Sequence, residues 1–180
     1  AIATGSDGQV LTSTGAGSPP AFEALPGGGI ENITTFRMTT SFTLATSAQI
    51  TANWSASGAS LGTAISESSG TFSFPQTGLY RVEANFYMHR LNGGSAYIGI
   101  VLKHTTNNSS YGDFVQNYGN IHDLTNEHGL VYAAGIVDVT NTTNDKVQIH
   151  YEAASGNNIR LVGNSSHDRT YIRFIRLGDT

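Results

Sequence analysis

The side chains best suited to chemistry crowd into one loop, where His122-Asp123 and Glu127-His128 put two imidazoles and two carboxylates within seven residues. Imidazole plus carboxylate is a donor set that Zn²⁺ accepts. Their spacing follows no zinc motif and nothing around them has helical periodicity. A polar surface loop is the expected reading, and no metal is assigned. Asp113, Asp123, Asp138, Asp145 and Asp168 could offer oxygens to calcium, but they lack the regular acidic positions of a calcium loop. Asp at strand ends and in turns bonds nearby backbone instead. Covalent hydrolysis needs a nucleophile held by a base and an orienting group, and no Gly-x-Ser-x-Gly nucleophile elbow is expected. Glycoside hydrolysis needs two carboxylates across a cleft, and Glu67, Glu83, Glu127 and Glu152 form no evident pair. The chain is therefore read as a non-enzyme without cofactor.

Four tyrosines remain. Tyr87, Tyr97, Tyr111 and Tyr118 all fall at positions expected to be exposed. Phenol rings beside Asn serve two ends, binding sugars and filling subunit interfaces. Tyr111 and Tyr118 bracket the Asn/Gly-rich stretch 112–120 and are candidate contacts to a host surface glycan. Asn32, Asn53, Asn108, Asn141 and Asn164 each open an Asn-x-Ser/Thr triplet. In a chain this rich in Asn, Ser and Thr, such triplets are expected by chance.

The elements that must position these residues are strands. Only 12% of the 180 residues are charged, and Ser, Thr, Asn and Gly take their place. Thr fits a pleated half-wet surface and Asn and Gly make tight turns, whereas all of these residues weaken helices. A net charge of −4 argues against nucleic acid, which needs a basic stripe. The Arg169, Arg173, Arg176 cluster reads as strand surface or subunit contact. With no cysteine, stability must come from size or association. No apolar run approaches the roughly 20 residues of a membrane span. Ala1 fits a start left by removal of an initiator methionine, and a complete small protein is the expectation.

Residues 1–29 are broken by Gly5, Gly8, Gly15, Gly17, Pro19, Pro20, Pro26 and the Gly27-Gly28-Gly29 run. They are expected to form an extended attachment arm without its own core, with Val10, Leu11, Phe22 and Leu25 as anchors. From residue 30 to 180 the period is two. Tyr80, Val82, Ala84, Phe86 and Met88 alternate with Arg81, Glu83, Asn85, Tyr87 and His89, as a strand with one buried face requires. Ile98, Ile100 and Leu102 repeat the pattern after Asn92-Gly93-Gly94, and Val147, Ile149 and Tyr151 do so after the 141–145 turn. Further strands are expected at 34–44, 48–56, 70–74, 111–118, 130–139, 159–162 and 170–177, with a short helical turn allowed at 59–67. Many short strands with frequent turn signals predict an all-β antiparallel two-sheet sandwich, its core containing Tyr80, Val82, Phe86, Ile98, Ile100, Val147 and Ile149.

Two stretches resemble known families. Phe72-Ser-Phe74-Pro-Gln-Thr-Gly78-Leu-Tyr80-Arg-Val82, the Ala133 to Ile149 pair of strands and Tyr171-Ile-Arg-Phe174-Ile-Arg-Leu177-Gly178 resemble the C1q/TNF-like jelly-roll family over about two-thirds of the chain. The resemblance implies a homotrimer with one sheet of each subunit facing a three-fold axis, and Tyr87 and Tyr97 as trimer contacts. Gly5-Ser-Asp-Gly8-Gln-Val-Leu11 through Gly15, Gly17, Pro19-Pro20 and Phe22 resembles a repeat of tail-fibre and particle-surface proteins of tailed bacteriophages, with Phe22 in the place of the usual tryptophan.

Together these imply a protein of the virion surface. One reading is a trimeric capsid decoration, or cement, protein whose arm grips the major capsid protein or another virion protein. The alternative is the distal receptor-binding tip of a tail fibre or tailspike, the same knob binding host glycan.

Overall fold

The computed structural model describes residues 4–13, 15–24, 29–45, 47–92, 96–121, 126–154 and 159–180. Every regular element among them is a strand, and the strands are antiparallel. In chain order they are β1 (Gln9–Thr12), β2 (Ala21–Ala24), β3 (Asn32–Met38), β4 (Phe42–Thr43), β5 (Ser47–Gln49), β6 (Trp54–Leu61), β7 (Ser66–Ser68), β8 (Thr71–Ser73), β9 (Gly78–Arg90), β10 (Ala96–Thr105), β11 (Gly112–Ile121), β12 (His128–Val139), β13 (Lys146–Ala153), β14 (Ile159–Leu161) and β15 (Tyr171–Gly178).

Long β9 organises the first sheet. β12 pairs along one of its edges from Gly78 to His89. β15 and then β14 share the other edge, followed outward from β15 by β3 and β6. The second sheet runs β11-β10-β13-β8-β7, with β5 continuing the edge of β13 beyond β8. The alternation read from β9 is what faces the two sheets together: Tyr80, Val82, Ala84, Phe86 and Met88 are all fully buried, as are Ile98, Ile100, Val147 and Ile149 opposite them. At the centre Phe72 touches Phe36, Trp54 and Phe174, with ring centroids 5.2, 5.9 and 5.2 Å away. Phe74 adds Tyr80 at 4.7 Å. This aromatic cluster joins β3, β6, β8 and β15 across the sandwich, so it locks one sheet onto the other.

Four expectations need correction. The run 34–44 is two strands, β3 and β4, with residues 39–41 between them. The run 48–56 is not one strand. It ends with β5 and restarts as β6 after Asn53, which has a positive φ of 69°; a short amide side chain tolerates that left-handed geometry. The segment 59–67 holds no helical turn. It completes β6, then turns at Gly62, where φ is +69° and a Cβ would collide with the Glu31 carbonyl, so only glycine fits. Finally, the segment 1–29 is not simply extended. β1 and β2 pair in a hairpin with Val10 opposite Glu23 and Leu11 opposite Phe22. Gly15, Gly17, Pro19 and Pro20, which argued against structure, lie in the loop between the two strands. Leu25, the fourth expected anchor, lies outside the described residues, as do His122 and Asp123.

One buried cation ties down an end of the sandwich. Arg90 is wholly buried, donating from Nε to the Asn92 carbonyl at 2.6 Å, with its backbone bonded to Asn126 and Glu127. With Nη1 also donating to the Ile121 carbonyl at 3.4 Å, it ties the end of β9 to the residues on both sides of 122–125.

Candidate functional site

The outward face of the β12-β9-β15-β3-β6 sheet is the first surface of interest. Cross-strand register sets it out in rows. Leu61, Ile33, Ile175, Arg81 and Ile136 form one; Thr35, Arg173, Glu83 and Ala134 the next; Arg37, Tyr171, Asn85 and Tyr132 a third; Tyr87 and Leu130 a fourth. Leu130 and Ile136 are 62% and 60% exposed, and Leu61, Leu177 and Tyr132 also lie open. Arg81, Ala134, Gly135, Ile136 and Leu177 line an open depression of about 310 Å³ there.

The polar groups in the middle of this face already have partners. Glu83 takes Arg173 at 3.1 Å and Arg81 at 3.3 Å, and accepts the Tyr132 hydroxyl at 2.8 Å, while that hydroxyl accepts from Arg81 at 3.0 Å. Asn85 donates to the Arg169 carbonyl at 2.7 Å. The guanidinium of Arg81 is correspondingly held above its ordinary range by the Tyr132 hydroxyl and then by Glu83. A surface whose hydrogen bonds close on themselves, beside exposed aliphatic side chains, can be covered without stranding a polar group.

Tyr87 belongs to this face and Tyr97 does not. Tyr87 stacks on His128 at 5.3 Å and 6°, His128 stacks on His89 at 4.8 Å, and Arg169 lies 5.8 Å over the Tyr87 ring. Arg160 donates to His89 Nδ1 at 2.9 Å. Tyr97 projects from β10, on the opposite sheet. The two tyrosines expected at one trimer axis therefore sit on different sides of the sandwich. Stacked rings also aim their nitrogens away from any shared point, so His89 and His128 do not converge as metal ligands do. Among the described residues no group of three or more His, Cys, Asp or Glu lies together.

Four other acids serve the fold. Asp145 is buried, accepting the Thr140 and Asn141 amides at 3.0 and 2.7 Å; His104 Nε2 comes within 3.0 Å of it at an angle that leaves both atoms without a hydrogen bond. Asp168 pairs with Arg37 at 3.2 Å and Ser57 at 2.8 Å. Lys103 bonds Asp113 and holds its carboxyl below the usual range. Glu67 accepts the Gly70 amide at 2.6 Å. Contrary to expectation, the sequence contains a Gly58-x-Ser60-x-Gly62 spacing. Ser60 lies inside β6 with no helix after it, so the strand-to-helix turn that makes such a serine a nucleophile is missing.

On the outward face of the second sheet the register brings together residues far apart in sequence. Gly99 pairs with Tyr118 on one side and Glu152 on the other, and Tyr97 pairs with Asn120. Because Gly99 has no Cβ, which would overlap the Tyr118 ring, that ring lies across the β10 backbone. Its hydroxyl donates to Glu152 at 2.6 Å, and this bond pushes the phenol up to about 12, so the proton stays in place at any ordinary pH. Tyr97 meets it edge-on, centroids 5.7 Å apart at 73°. Tyr111, the other expected glycan contact, lies just before β11, at the end away from Tyr118, and takes no part.

No family model matches the chain, and no curated protein does. Solved structures do. Murine APRIL aligns with a TM-score of 0.57 at 12% identity, over 81% of this chain and 98% of its own. Eiger TNF from S. frugiperda aligns with a TM-score of 0.59 at 15% identity, over 82% and 93%. The fold is a TNF-like jelly roll. At such low identity the likeness extends to the fold, and the site must be read from the chain's own residues. In this jelly roll the two sheets present unlike faces: one aliphatic with a closed polar network, the other carrying an open tyrosine pair beside a carboxylate.

Proposed function

We propose that the chain is a non-enzymatic homotrimeric surface protein of a tailed-phage virion, seated on the capsid as a decoration protein. The observation that carries the self-association is the outward face of the β12-β9-β15-β3-β6 sheet. Its exposed Leu130, Ile136, Leu61 and Leu177 surround a polar centre that needs no water, which suits it to burial against copies of itself. The C1q/TNF-like resemblance supports three as the copy number. The phage setting rests on the resemblance of residues 5–22 to virion-surface repeats.

The hairpin β1–β2 supplies the proposed attachment. A lone two-stranded hairpin is marginal in water. This one leaves Leu11 exposed and both its strand edges unpaired with any other described strand, so a neighbouring virion protein would add both apolar contact and a pairing edge. Three hairpins on one trimer act together, since seating one raises the effective concentration of the rest. The receptor-binding fibre tip is the second reading, supported by the tyrosine pair on the other sheet.

Deleting residues 1–29 tests the decoration role. The trimmed protein should keep its trimer and its β-sheet circular dichroism while its affinity for undecorated heads falls by about 10²-fold or more. Undiminished decoration would remove the hairpin from attachment and favour the fibre tip.

A further inference from the structure

We propose that Tyr97, Tyr118 and Glu152 form a binding site for the pyranose ring of a glycan, on the sheet face opposite the one assigned to self-association. Three features carry this. The Tyr118 ring is held flat by contact with the Gly99 backbone beneath and by the Glu152 bond at its tip. At 45% exposed, its other side faces solvent. A ring pinned at two points loses little further freedom when a ligand lies on it.

Tyr97, 42% exposed, stands at 73° to that platform and closes one side, so the pair makes a floor and a wall. The negative face of a phenol attracts the weakly positive axial C–H bonds of a sugar, whose ring matches a phenol in size. Glu152 uses one carboxylate oxygen for Tyr118, and its other oxygen accepts nothing from a described residue. That oxygen can only accept, so the ligand must bring a donor, as a hydroxyl or acetamido N–H does. Asn120, exposed and paired with Tyr97, offers both donor and acceptor at the rim. The charge pattern disfavours a nucleotide: Glu152 stands at the platform and Lys103 is already bonded to Asp113, so nothing there would meet a phosphate.

The proposal holds for a decoration protein and a fibre tip alike, and it does not depend on the trimer. Saturation-transfer NMR on the full chain tests it, with methyl β-glucopyranoside, methyl β-galactopyranoside, methyl α-mannopyranoside and methyl N-acetyl-β-glucosaminide as probes and tetramethylammonium as the competing cation. At least one pyranoside should bind saturably in about the millimolar range, with the strongest transfer to one face of its ring. Tyr97→Ala should weaken it about tenfold, and Tyr118→Phe, which keeps the ring but frees it from Glu152, several-fold. No saturable pyranoside, equal binding by both variants, or binding of tetramethylammonium alone would each overturn the proposal. Sedimentation of the same variants keeps the two questions apart, since a lost sugar with an intact trimer leaves the self-association untouched.

Discussion

Leu130→Glu with Ile136→Glu should turn the proposed trimer into a folded monomer. Both side chains stand clear of the core on β12, so the monomer should lose no more than about 0.5 kcal/mol. In the assembly each substitution removes apolar burial of about 1.5–3 kcal/mol and asks an unpaired carboxylate to leave water. Glu83 lies on the adjacent strand and already engages Arg81 and Arg173, so a carboxylate placed opposite Arg81 has to share a cation already bonded. Two substitutions in three protomers should weaken association by well over about 10³-fold. Size-exclusion chromatography with light scattering would report the change, and an unchanged circular dichroism spectrum would show that the fold survives. Trimers that persist would place the contact on another surface.

Phe72→Ala should cost the most stability of any single truncation. Phe72 is fully buried and touches Phe36, Trp54 and Phe174, residues from three other strands. Removing such a ring costs about 3–5 kcal/mol, partly transfer and partly the cavity left behind. With roughly 2–4 °C per kcal/mol for a domain of this size, Tm should fall by about 6–20 °C. The measurement belongs in the monomeric Leu130→Glu, Ile136→Glu background, because association would otherwise add a concentration-dependent term. A loss below about 1 kcal/mol would mean the two sheets are not locked at this cluster.

The sandwich was legible because β13 alternates buried Val147, Ile149 and Tyr151 with half-buried Gln148, His150 and Glu152, and β9 alternates apolar with mostly polar side chains, so period two survives in the string. The interaction faces were less so. β12 reads as a strand from Leu130 to Val139, yet it carries apolar residues on both sides, so nothing in the string separates core-facing Val131 and Val137 from outward Leu130 and Ile136. Only pairing with β9 decides that. The tyrosine platform depends on register too: Tyr97 and Tyr118 meet because β11 folds back on β10, and Glu152 joins them through β13. Gly99 looks like a flaw in a strand until Tyr118 is seen lying on it. Tyr87 and Tyr97 had matching exposure patterns and were assigned one role, but alternation gives a side of a strand and not which sheet the strand enters. The β1–β2 hairpin is not legible in the string because its strands are only four residues each among glycines and prolines, too short for periodicity to register.

Sedimentation equilibrium of the unmodified chain tests the central claim most directly. A homotrimer built on the β12-β9-β15-β3-β6 face should give a single species of three times 19.0 kDa at micromolar protomer. A stable 19.0 kDa species at that concentration would contradict it, leaving the aliphatic face without the partner assigned to it.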